Sequence, residues 1–163
     1  MRYVLMALTT FFAIPSTAMA ADPCSLMSSA DASALLSQSA GAGQAAGPAR
    51  DEDSSGQISF CTYRAGNTAL ILSVVEYSSP AEAKKALTLN LVKRRMDEDD
   101  AKVSEESGIG EKTFYAVSGE GSMYVFLKGN KVVGLAVGGP GSPKPAAVKD
   151  ALKSRGMAVA AKL

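Results

Sequence analysis

The sequence predicts an α+β fold: an antiparallel sheet of four to five strands with helices on one face, in the order αββα(β)ββα. Three observations carry this. Two β-rich runs are each interrupted by a Gly-Asn pair (Gly66-Asn67 and Gly129-Asn130), a hairpin signal because both residues tolerate positive φ. Stretches of helical spacing stand between the hairpins. The unit of strand, Gly-Asn turn, strand, Ser and Pro, then helix occurs twice. Strands linked by hairpins are antiparallel neighbours, which leaves the helices to gather on one side.

The elements follow in chain order. Residues 1–20 read as a signal peptide. Arg2 is the positive end, "VLMALTTFFAI" the apolar stretch, Pro15 its break, and Ala18-Met19-Ala20 the small-x-small cleavage site. The apolar run is shorter than the roughly 20 residues a membrane-spanning helix needs. Residues 21–163 are then one domain, with enough chain for a core of its own. "SLMSSADASALLSQ" spaces Leu26, Met27, Ala30, Ala34 and Leu35 as a helix does, with Ser25, Ser28 and Ser29 as caps. "SAGAGQAAGPARDEDSSGQ" reads as a flexible loop.

"FCTYRAGNTALILSVVEYSSPAEAKKAL" then lies over "MYVFLKGNKVVGLAVGGPGSPKPAAVKDAL". Either this is a tandem duplication, or it reuses hairpins common to small α+β proteins. Between the halves, a second helix ends in "KRRMDEDD", and "EKTFYAVSG" (111–119) supplies the extra strand. In "SMYVFLKG", Met123, Val125 and Leu127 alternate with Tyr124 and Phe126, so both sheet faces are partly apolar. One face packs on helices. The other, with Tyr63, Tyr77, Tyr124 and Phe126, is a candidate binding surface.

Cys24 has three candidate roles: lipid attachment, redox thiol, or structural disulfide. Lipidation needs the cysteine at the cleavage point, whereas Cys24 follows "ADP". Redox chemistry wants a C-x-x-C pair or a cationic neighbour, and Cys61 lies 37 positions on with only Arg64 near it. Two cysteines in an exported chain pair most simply with each other. By loop-closure entropy, a Cys24–Cys61 bond stabilises by about 4 kcal/mol.

Composition narrows the chemistry. The chain has 17 Lys and Arg against 16 Asp and Glu, and loss of Arg2 with the signal brings the two counts level. No global field favours nucleic acid or an anionic membrane. Histidine is absent, which removes the commonest general base and metal ligand. "DEDSSG" offers Asp51, Asp53 and Ser55 in the spacing of a calcium loop, but Thr62 stands where the closing Glu belongs. In "KRRMDEDD", Lys93 would pair with Asp97 and Arg94 with Glu98, and consecutive acids on a helix point different ways. "GIGEKT" (108–113) misses a phosphate loop because Glu111 precedes the lysine, and "GGPGSPKP" reads as a strand-to-helix turn. No serine sits in G-x-S-x-G.

Four stretches carry a family resemblance: "DPCSLMSSADASALL", "FCTYRAGNTALILSV", "GIGEKTFYAVSGEGSMYVFLKGNKVVGLAV" and "AAVKDALKSRG". Together they resemble a cysteine-paired domain of unknown function common in small bacterial lipoproteins and secreted proteins. The resemblance implies an early cysteine bonded to one in the first strand. It also implies a Gly-rich turn before an acid leading to the last hairpin, matched by Gly108, Gly110 and Glu111. This chain departs in lacking the lipid-anchor cysteine and in having Lys112-Thr113 after the turn. On architecture alone, the tandem layout also resembles the secreted β-lactamase inhibitor proteins.

The expectation is therefore a periplasmic or secreted binding module. It would act on an unknown protein or small ligand, with no enzyme activity, no cofactor, no metal, no nucleic-acid partner and no stable membrane insertion. The alternatives are a structural envelope-associated protein, or a histidine-free hydrolase using Ser and Lys or paired carboxylates.

Overall fold

Residues 22–52, 54–96 and 101–163 are described by the computed structural model, so the expected signal peptide lies outside the described residues. A short 3-10 turn, Pro23–Leu26, opens this part of the chain. Helix α1, Ser29–Leu36, follows. Of the three serines expected as caps, Ser28 takes the role, in a reciprocal capping box with Asp31. Three strands come next: β1 (Gln44–Arg50), β2 (Gln57–Ala65) and β3 (Thr68–Glu76). Helices α2 (Pro80–Ala86) and α3 (Leu89–Met96) lead to β4 (Lys102–Glu106), β5 (Lys112–Val117), β6 (Gly121–Lys128) and β7 (Lys131–Gly138). Helix α4, Pro145–Ala160, ends the order.

All seven strands form one antiparallel sheet in the order β1-β2-β3-β7-β6-β5-β4. The α+β class stands, whereas the expected four to five strands and their order do not. The two added strands are the edges. β1 lies in the Gly-, Ala- and Pro-rich stretch read as a loop, and every one of its residues is exposed. It is bulged between Ala46 and Ala49, around Pro48, which a sheet tolerates only where no ladder hydrogen bond is lost. β4 is a short, charged edge paired only to β5. The single second helix is in fact two, because the Thr88 hydroxyl caps a new start by accepting from the Leu91 amide at 3.2 Å.

The helices also divide between the two faces rather than sharing one. Leu72, Tyr124, Phe126 and Leu135 point to a core closed by α1 (Leu35, Leu36) and α4 (Val148, Leu152). Val75, Val125, Leu127 and Val132 point the other way, beneath Leu87 after α2 and Leu91 and Val92 of α3. Period-two alternation explains the split, since strands apolar on both faces need cover on both. Each fully buried Leu or Phe contributes about 2 kcal/mol.

The two Gly-Asn hairpins do correspond. Tyr63 and Phe126, and Leu72 and Leu135, hold matching places about the turn and face the same core. Only the glycine takes positive φ (59° at Gly66, 57° at Gly129), as type II′ hairpins require. The helices that follow break the correspondence, with α2 and α4 on opposite faces.

Candidate functional site

The site lies on the face that α2 and α3 cover incompletely. Three cross-strand pairs of β3 and β7 point there: Val75 with Val132, Ser73 with Gly134, and Ile71 with Ala136. The first pair is buried under the helices. The second is small and low, and the third is open. A Cβ on Gly134 would stand 2.6 Å from Ser73 Oγ, so glycine is what fits opposite that serine. Phe60 on β2 and Met123 on β6 extend the floor sideways, since they pair with Ser73 and Ala136. Ile71 is 38% exposed, unusual for a large apolar side chain at the centre of a sheet.

The result is a groove of about 520 Å³ floored by Ile58, Phe60, Ile71, Ser73, Met123 and Ala136, with Arg50, Asp51, Glu52 and Arg95 along its edge. That volume lies within the usual range for ligand sites. A second hollow of about 180 Å³ shares Ile71 and Ala136 with it and runs on past Met96 to Glu120 and Gly121.

Its wall is held by one ion pair. Arg95, in the last turn of α3, places Nη2 3.0 Å from Asp51 Oδ2 in the loop after β1. The Ser54 hydroxyl also donates to Asp51, and Tyr77 Oη donates to Ser54 Oγ at 2.9 Å. Asp51 is nearly fully buried, so these partners replace the water it has lost. Among the described residues, Arg95 Nε is the one buried side-chain nitrogen or oxygen with no hydrogen-bond partner.

A second cluster of titratable groups sits on the opposite face. Glu106 of β4 accepts from Tyr124 Oη at 2.9 Å and lies 2.7 Å from Lys149 Nζ and 3.5 Å from Lys153 Nζ of α4. Burial alone would raise its pKa. Hydrogen bonds from Lys149 and Tyr124, with the charges of both lysines, instead hold the carboxyl below the usual range. Tyr124 is pushed up, first by burial and then by Glu106. Lys149 also lies over the Tyr115 ring, 4.7 Å from its centroid. The cluster fastens α4 to β4 and β6 and satisfies its members internally.

The Cys24 and Cys61 sulfurs are 2.03 Å apart, at bonding distance, with Cα atoms separated by 5.0 Å. Asp51 pairs with Arg95 rather than serving a calcium loop with Ser55, and Asp53 lies outside the described residues. Asp97 to Asp100 lie outside them too, and with them the expected Lys93–Asp97 and Arg94–Glu98 pairs. Gly108 and Gly110 take positive φ in the bend before β5, and Glu111 accepts from the Gly129 amide at 2.9 Å, which ties that bend to the last hairpin. Lys112 Nζ donates to the Leu87 carbonyl at 3.1 Å. The aromatic surface is overturned: Tyr63, Tyr77, Tyr124 and Phe126 are each no more than 3% exposed. Among the described residues, no three His, Cys, Asp or Glu side chains gather as a metal site would need, and no helix is long and apolar enough to cross a membrane.

The open surface expected on the side of Tyr63, Tyr124 and Phe126 is buried under α1 and α4, and the groove lies on the opposite face of the sheet. Phe60, Ile71 and Ala136 belong to strands recognised from sequence, and their alternation was the available signal. No protein-family model matches the chain, and no curated protein matches it either.

Proposed function

We propose that this chain is an exported binding module whose ligand occupies the groove between α3 and the β2-β3-β7 floor. The observation that carries the reading is the open Ile71–Ala136 pair in the middle of the sheet, on the same face as the Val75–Val132 pair that the helices bury. An apolar floor with a few polar groups at its edge is the usual chemistry of a recognition site. Export, to the periplasm or outside the cell, is supported by the signal-like residues 1–20 and by the paired cysteines. The likeness to the cysteine-paired secreted domain belongs to the same proposal.

Nile red, a neutral dye that brightens in apolar sites, tests this directly. The disulfide-bonded chain should bind it saturably, and Ile71→Arg should abolish the signal with little change in thermal unfolding midpoint. Met157→Arg, on the exposed side of α4, should leave dye binding intact. A folded protein that ignores the dye would favour the structural alternative instead.

A further inference from the structure

We infer, resting on the binding reading above, that the groove takes a small uncharged molecule with an apolar body and an oxygen that the Ser73 hydroxyl holds. Ser73 itself is the first argument. Of the groove-lining residues on β2, β3, β6 and β7 it is the polar one, and the rest are apolar or glycine. β3 pairs with a strand on each side, so the ladders occupy the Ser73 backbone and leave the hydroxyl as its free polar group. Only 8% of the residue is exposed, and Oγ bonds to the Gly134 carbonyl at 3.5 Å. Hydroxyl–oxygen bonds are about 2.5–3.0 Å long, so this contact holds the proton weakly. A nearly buried donor so poorly satisfied gains from a closer acceptor.

Space is the second argument. A Cβ placed on Gly134 would lie 2.6 Å from Ser73 Oγ and 3.9 Å from Met123 Sδ. Apart from Gly134 and its chain neighbours, no other residue comes closer to that point than 4.0 Å. There is thus room above Gly134 for a ligand oxygen within reach of Oγ. Phe60 flanks Ser73 across the ladder and Ile71 flanks it along β3, so the apolar body of the molecule covers those two side chains.

Charge is the third. The charged groups of the groove are Arg50, Asp51, Glu52 and Arg95, two of each sign and all at its edge, and Arg95 and Asp51 neutralise each other. Arg50 and Glu52 are left, opposite in sign and two residues apart, so neither an anion nor a cation gains a net attraction. A charge laid on the floor would lose its water with no counter-charge beneath it, which costs far more than burying a neutral group.

Competition against Nile red on the disulfide-bonded chain tests the inference, using one ring system in four forms. Acetylnaphthalene carries a neutral oxygen and ethylnaphthalene none, whereas naphthoate is an anion and naphthylmethylammonium a cation at neutral pH. On the unaltered chain, acetylnaphthalene should bind roughly tenfold or more tightly than either ion. Ser73→Ala, with its own dye affinity measured first, should weaken acetylnaphthalene roughly fivefold and leave ethylnaphthalene unchanged, a split that a general loss of structure would not produce. Ile71→Arg should abolish both. An ion that binds as well as acetylnaphthalene, or a Ser73→Ala effect equal for the two neutral compounds, overturns the inference. So does failure of all four to compete, and the dye alone then separates two failures: Nile red still bound leaves the groove to another class of ligand, whereas no dye bound removes the binding reading as well.

Discussion

Arg95 and Asp51, 44 residues apart in sequence, meet across the open face of the sheet with Nη2 3.0 Å from Oδ2. Their side chains are only 13% and 7% exposed, so solvent screens the pair weakly. Removing one partner of a buried pair leaves the other charged and uncompensated, which typically costs 3–5 kcal/mol. Arg95→Met and Asp51→Asn should therefore each destabilise the protein by about 3 kcal/mol in urea unfolding. The double variant should cost clearly less than the two together. Additive effects would mean that the pair contributes little.

Gly134 and Ser73 form the low step of the groove. The Cβ of Gly134→Ala would press on Ser73 Oγ, 2.6 Å away, and overpacking of this kind costs about 1–3 kcal/mol. Combining it with Ser73→Ala should recover most of the loss, because the obstructing oxygen is gone. Thermal unfolding of the three variants checks this, and a double variant no better than Gly134→Ala would point to backbone strain instead.

Breaking the Cys24–Cys61 bond should be expensive. The bond closes a loop of 37 residues that holds the Pro23–Leu26 turn, α1 and β1. Loop-closure entropy puts the loss at about 4 kcal/mol for a Cys24→Ala/Cys61→Ala chain, read from denaturant midpoints. A midpoint unchanged by the substitution or by reductant would contradict the structural role.

Glu106 and Tyr124 set opposite limits to the pH range of stability. The folded carboxyl is held below its usual range, so its contribution is fully present above the unfolded value of about 4.3 and is lost as pH falls through the folded one. The folded phenol is raised, so its contribution is present below about 10 and is lost as pH rises through the higher folded value. Glu106→Gln should flatten the acid limb of a stability–pH curve and Tyr124→Phe the alkaline limb. A Glu106→Gln protein with an unaltered acid limb would assign that limb elsewhere.

The interior strands were legible because β2, β3, β6 and β7 are rich in β-branched and aromatic residues around Gly-Asn turns. The edges were not. β1 is Gln-Ala-Ala-Gly-Pro-Ala-Arg, a composition that signals a loop, and it is a strand only because β2 offers it a free ladder. β4, Lys-Val-Ser-Glu-Glu, is too short and polar to show alternation. Pairing is a tertiary effect, and local propensity carries no trace of it. The second helical layer was misjudged for a related reason. Alternation in β6 revealed two apolar faces, but which helix covers which face depends on where α2 and α4 cross the sheet. The groove shares this limit, since Ile71 reads as a core residue until the reach of α3 is known.

The central claim, that the uncovered part of this sheet receives a ligand, is most directly tested by amide chemical-shift mapping of the 15N-labelled, disulfide-bonded chain during a Nile red titration. The account predicts saturable shifts confined to Phe60, Ile71, Ser73, Gly134, Ala136 and the α3 end at Arg95, and their absence in Ile71→Arg. Shifts centred on the exposed side of α4, or none at all in the folded protein, would contradict it.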